Sequence, residues 1–162
     1  VHQYLEEVPN YSSITFIITM NNLSVSNLDK LLEGILNLRK QYSKDFQRVW
    51  FDTPVLTTPS WQSMQLLPEP YTMKLNRLKN WMNDNLETED DLYHGFKDYE
   101  VKRLERDINW MQTPLSDDYV NNQKADFYKF FNESDKRHGT DFLTSFPEMK
   151  EWWNECKRCS YE

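Results

Sequence analysis

SSITFIIT, Ser12 to Thr19, is the stretch that decides the fold. It is apolar and β-branched with almost no polar alternation, and such runs suit a strand covered on both faces, as in a parallel sheet. It begins soon after Val1 and is followed by the polar turn MNNLSVSN. Leu28, Leu31, Leu32, Ile35, Leu36 and Leu38 then recur at the spacing of a helix with one apolar stripe. Ser24 or Ser26 offers a hydroxyl to cap its start. After QYSKDFQ comes RVWFDTPVL, a second short strand that Pro54 ends. Strand, helix and strand form a βαβ unit, whose crossover is almost always right-handed.

Beyond Pro59 the strand signal stops. Glu69 to Asn85 reads as a helix with Pro70 in its first turn and Leu75, Leu78 and Met82 on one face. The acidic run Glu87 to Asp91 reads as a solvated helix start. A charge-rich helix is expected from Leu92 to Gln112, where Pro114 breaks the pattern. Ser116 caps a further helix over Asp117 to Ser134, and Gly139 fits a left-handed C-terminal cap. Ser145 with Glu148 reads as a capping box for a last helix over Pro147 to Cys156.

The fold class is therefore α/β and mostly helical. Two parallel strands and one helix cannot satisfy the outer strand edges or cover a sheet that is apolar on both faces. Residues 1–68 accordingly read as the last strands and crossover helix of a larger parallel barrel, with the earlier strands elsewhere. Residues 69–162 form a helical C-terminal extension.

Composition narrows the function. Aromatic residues make up 15% of the chain, with six Trp, nine Tyr and nine Phe, enough large rings to close a core despite 38% hydrophobic content. A net charge of −7 and a pI near 5.0 argue against a nucleic-acid binder, which usually shows a basic face. Two cysteines make no disulfide framework, and no apolar run is long enough to span a bilayer. A cytoplasmic location is the expectation.

Several segments resemble a known family. TFIITMNNLSVSNLDKLLEGILNLRK, RVWFDTPVLTTP, MQLLP and FYKFFNESDKRHGTDFLTSFPEMKEWWNECK are similar to the C-terminal part of radical SAM proteins of the twitch/SPASM type, met in phage and environmental sequences. The tail pattern D-x-R-x-x-T-x-F-x-x-x-F-P-E is carried by Asp135, Arg137, Thr140, Phe142, Phe146, Pro147 and Glu148. The resemblance implies a partial TIM-like barrel followed by a twitch-like helical extension. It also implies S-adenosylmethionine and a [4Fe–4S] cluster as cofactors of the full-length protein. The complete enzyme would cleave S-adenosylmethionine reductively and abstract hydrogen from a substrate, with a peptide or a nucleoside among the candidates. The cluster motif C-x-x-x-C-x-x-C is absent from this sequence, so the resemblance also implies a missing N-terminal barrel half.

Ligands of parallel sheets and barrels bind at the carboxyl ends of the strands. Thr19, Asn21, Asn22, Asp52, Thr53, Pro54 and Leu56 are therefore the candidate cofactor-binding residues. For Asn21 and Asn22 the other reading is a turn and an N-cap, and for Asp52 a strand-end cap. Arg137 and His138 could bind a substrate carboxylate or phosphate, or simply complement the end of their helix. Cys156 and Cys159 have metal-ligand spacing, but no second cysteine pair exists to complete a site. The alternative to an enzyme fragment is a non-catalytic acidic helical interaction module, phage-encoded.

Overall fold

The computed structural model describes residues 1–161. Its element order is α1 (His2–Glu7), β1 (Ile14–Ile17), α2 (Leu28–Tyr42), β2 (Val49–Asp52), α3 (Glu69–Asp84), α4 (Asp98–Met111), α5 (Asp117–His138), α6 (Phe142–Ser145) and α7 (Lys150–Cys159). The molecule is mostly helical with one small parallel sheet, as its sequence implies.

The βαβ unit forms as its pattern dictates. β1 and β2 pair in parallel with Ile14 opposite Val49 and Ile17 opposite Asp52. Leu28, Leu32, Ile35, Leu36 and Leu38 of α2 are buried in the core with Val49 and Phe51. Leu31, at the margin of that stripe, remains exposed.

β1 shows the uncovered face that two strands and one crossover helix leave. The strand is covered on a single face, not two: burial alternates along it, and Ile17 is 73% exposed. In the described residues nothing lies over Thr15, Ile17 and Thr19, which all face solvent. A period of two therefore governs burial in a strand whose sequence has no such period.

Helix boundaries also differ in instructive ways. A short 3-10 turn, Ser24–Asn27, precedes α2, and neither serine caps the helix. Asn21 organises the turn instead, its Oδ1 accepting from Leu23 N–H at 2.8 Å and Ser24 N–H at 3.0 Å. α4 starts at Asp98 rather than Leu92, and there Glu100 Oε2 accepts from Lys97 N–H at 2.9 Å and satisfies one donor of the first turn. α5 runs on to His138 and ends at Gly139 with φ 65°, the left-handed cap expected. Ser145 builds no capping box: Asp141 caps α6, a 3-10 turn spans Pro147–Met149, and α7 begins at Lys150. α1 is unannounced by any strong pattern, and is tied to α2 where Tyr42 Oη donates to Glu6 Oε1 at 3.0 Å.

One continuous core links the sheet to the helices, from Leu5 through Phe96 and Phe127 to Cys156. α3 packs on α4, and α5 on α7. Phe127 is the hub of the second pair, edge-on to Trp152 at 4.5 Å and close to Phe131 and Phe142.

Candidate functional site

The carboxyl ends of the two strands stay paired beyond the sheet proper. Met20 bridges Val55, with Met20 N–H donating to Pro54 O at 2.7 Å and Leu56 N–H to Met20 O at 2.9 Å. Thr19, Asn21 and Asn22 are thus brought beside Asp52, Thr53, Pro54 and Leu56, the two loops on which the candidate cofactor residues lie.

Their roles then divide. Asn21 is engaged in its own turn, so the turn-forming reading of that residue describes its bonds. Asn22 is fully buried: its Nδ2 donates to Trp61 O at 2.9 Å, while its Oδ1 has no hydrogen-bond partner. Thr53 is buried, and its N–H donates to Asp52 Oδ1 at 2.8 Å. Thr19 and Pro54 are exposed, and Leu56 is half-buried.

Two residues of α4 join this rim, and sequence reading missed both. Arg103 donates to Asp52 Oδ1 and lies over the ring of Tyr99. Asp107, one turn on, is buried, with Oδ1 bound to Arg106 and Oδ2 without a partner. Burial pushes the Asp107 carboxyl above its ordinary range, and the negative charge of Asp52 adds to the rise. The available signal was an Arg and an Asp four apart on one helix face, the same pattern that any solvated helix shows.

The two sheet edges are unlike. On β2, Val49 O accepts from Arg39 Nε at 3.0 Å and Gln47 Nε2 at 2.6 Å, and Phe51 packs edge-on to Phe96. Lys97 reaches over the ring of Trp50. On β1, Ile14, Ile18 and Met20 direct their N–H groups to β2, so the peptides of Thr15 and Ile17 point the other way. They make no backbone hydrogen bond among the described residues. No residue from Val8 to Leu28 is charged, in a chain that is 28% charged.

The remaining candidates lie elsewhere. Arg137 and His138 are exposed in the last turn of α5, where Arg137 Nε donates to Glu133 Oε1 at 2.9 Å. Cys156 is buried in the core and its thiol is pushed far above its ordinary range by that burial. Cys159 is only partly buried, with Sγ 3.6 Å from Asn121 Oδ1. Among the described residues no group of three His, Cys, Asp or Glu side chains gathers to hold a metal ion. None of the helices described is long and apolar enough to cross a membrane.

No family model, no curated protein and no solved structure matches the chain.

Proposed function

We propose that the chain is the C-terminal part of a radical SAM enzyme, contributing the last two strands of a partial TIM-like barrel and a helical extension. The observation that carries this reading is the asymmetry of the sheet edges. In such a barrel the earlier strands would add to β1, and β2 would come last. The β1 edge is open and uncharged, while on the β2 edge Val49 O is taken up by Arg39 and Gln47. Isolated sheets usually guard an open edge with charge, and this one has none. The face opposite α2, bearing Thr15, Ile17 and Thr19, would then line the barrel interior.

Fit to the cofactors differs between the two groups. The [4Fe–4S] cluster has no ligand set here: the cysteine triad is absent and the Cys156 thiol is a core group, so the cluster would rest on the missing N-terminal half. S-adenosylmethionine suits the strand-end rim better, because Asn22 presents an orphaned buried oxygen there. When bound, S-adenosylmethionine supplies the radical chemistry of hydrogen abstraction. Thr19 and Asp52 would offer its polar parts a hydroxyl and a carboxylate, and Pro54 and Leu56 would form an apolar wall. α4 would hold Asp52 in place through Arg103. The substrate, a peptide or a nucleoside, would enter from the same end.

The test is anaerobic expression of the full reading frame that contains this sequence. A brown, oxygen-sensitive product that consumes S-adenosylmethionine is expected. A colourless product indifferent to S-adenosylmethionine sinks the proposal. If that product instead binds another protein through the β1 edge, the chain is a non-catalytic interaction module, the reading that the same open edge also favours.

A further inference from the structure

At the amino end of β2, away from the strand-end rim, the loop between α3 and α4 folds back on the end of α2. Leu86 bridges Phe96 at its base, and Thr88 bridges Asp91 near its tip. Tyr93 is held at φ 72°, a left-handed conformation that a bulky residue adopts only under constraint. The constraint is visible on both sides of it. Tyr93 N–H donates to Glu87 Oε2 at 3.2 Å, and the next residue, His94, spans the gap to α2.

His94 Nδ1 is 2.5 Å from Asp91 Oδ1, and Nε2 is 2.6 Å from Ser43 O. A backbone carbonyl and a carboxylate are both acceptors, so both ring nitrogens must carry a proton. A neutral imidazole has one N–H. It could serve Ser43 or Asp91, and would then turn a lone pair on the other oxygen at hydrogen-bond distance. Ser43 is itself a fixed point, because it ends α2 with N–H bonded to Arg39 O at 2.9 Å and its Oγ accepts Arg48 N–H at 3.1 Å. The imidazolium therefore ties the loop tip to the fixed end of α2.

We propose that His94 is a proton-dependent strap that docks the acidic loop 86–94 on the C-terminal end of α2. The charges around it set the direction of control. Asp91 favours the imidazolium most, partial burial opposes it, the bond to Ser43 O favours it, and Lys40 on α2 opposes it. Lys44 and Asp45 from the turn after α2, and Glu89, Asp90 and Tyr93 from the loop, line the same surface cleft. The balance holds the His94 proton above the ordinary histidine range. A raised folded value places docking below it, and docking is lost as pH rises through it. Arg39, which donates to Gly95 O at 2.9 Å, keeps the loop base in place in either state, so the release is confined to the tip.

The experiment follows the His94 ring by two-dimensional NMR as pH is raised from about 6 to about 9, a range that brackets the ordinary histidine titration. The ring signal is assigned by its disappearance in His94→Gln. Amide hydrogen exchange of residues 86–94 is measured in parallel and corrected for the intrinsic pH dependence of exchange. The expected result is titration above the ordinary value, with protection of the Asp91 and Tyr93 amides falling several-fold in step with it. Asp91→Asn should bring the midpoint back toward the ordinary value, and His94→Gln should leave protection independent of pH. Titration at or below the ordinary value overturns the proposal. So does protection that ignores the titration, or that changes equally in His94→Gln.

Discussion

The guanidinium of Arg39 and the carboxylate of Glu100 meet fork to fork, at 2.9 Å and 2.7 Å, with both side chains withdrawn from solvent. Two further donors of Arg39 serve Val49 O and Gly95 O, and Glu100 also accepts Lys97 N–H. One ion pair thus joins the crossover helix, the last strand, the α3–α4 loop and the start of α4. Removing one partner leaves the other charged and buried. Arg39→Leu alone should cost about 3–5 kcal/mol in urea unfolding, and Glu100→Leu a similar amount. The double leucine variant should recover much of either loss, since a buried pair is often matched by apolar residues of similar volume. A cost below about 1 kcal/mol for Arg39→Leu would show that solvent reaches the pair.

The three glycines should respond to alanine in three different ways. At Gly95 the new Cβ would lie 2.2 Å from Glu87 N and 2.5 Å from Leu86 C, both backbone atoms at the loop base. Gly95→Ala should cost at least the 1–3 kcal/mol or so typical of overpacking. Gly139 has open space but φ +65°, so Gly139→Ala should cost about 1 kcal/mol from the left-handed backbone. Gly34 lies inside α2 with nothing near, and Gly34→Ala should stabilise by about 0.5–1 kcal/mol. Thermal unfolding of the three variants side by side checks the order.

Much of this architecture is legible in the chain and some is not, for physical reasons. The stripe of α2, the hydroxyl of Ser116 and the freedom of Gly139 are local devices, and local devices leave local signals. The paired strand ends followed from the rule that parallel strands share a carboxyl end. Arg39 gave no signal, because a basic residue near a helix end looks solvated until a carboxylate 61 positions away is placed on it. Arg103 and Asp107 were hidden likewise among the charges of α4, and the start offered by Ser145 and Glu148 is taken up by a 3-10 turn over Pro147–Met149, so that α7 begins at Lys150. The continuous apolar run of β1 describes a strand meant to be covered twice, whereas the described residues cover it once.

Asp107 makes stability depend on pH. Its folded carboxyl is raised by burial, so between the unfolded value and the folded one the native state holds more protons than the unfolded state. Stability from this group is present below the unfolded value and falls as pH rises through the folded one. Asp107→Asn removes the charge while keeping an oxygen for Arg106, and should flatten that component of the pH profile. Unfolding midpoints of both proteins across the acidic range settle it: parallel curves would rule out a titrating Asp107.

The two cysteines should differ in reactivity under native conditions. Cys159 is partly exposed, while Cys156 has its thiolate suppressed by burial in the core. One equivalent of a thiol-specific alkylating reagent should therefore enter the folded protein, at Cys159, and a second only after denaturant is added. Prompt labelling of both sites would mean that α7 detaches from α5 on the timescale of the reaction.

Ile17 gives the sharpest separation between the chain as it stands and the larger sheet proposed for it. Its side chain is 73% exposed and its peptide points along the open edge. In this chain Ile17→Lys loses almost no buried contact, so stability should change by no more than about 0.5 kcal/mol, and self-association through the edge should fall. Phe51→Ala, on the covered face of the neighbouring strand, should cost about 3–5 kcal/mol by the same measurement. In a full-length protein whose sheet continues from β1 into a closed barrel, the same lysine would point into the barrel interior, unpaired and desolvated. Ile17→Lys should then destabilise the long form by several times what it does to the short one. Equal, small effects in both would mean that nothing covers this face, and the larger barrel would have to be abandoned.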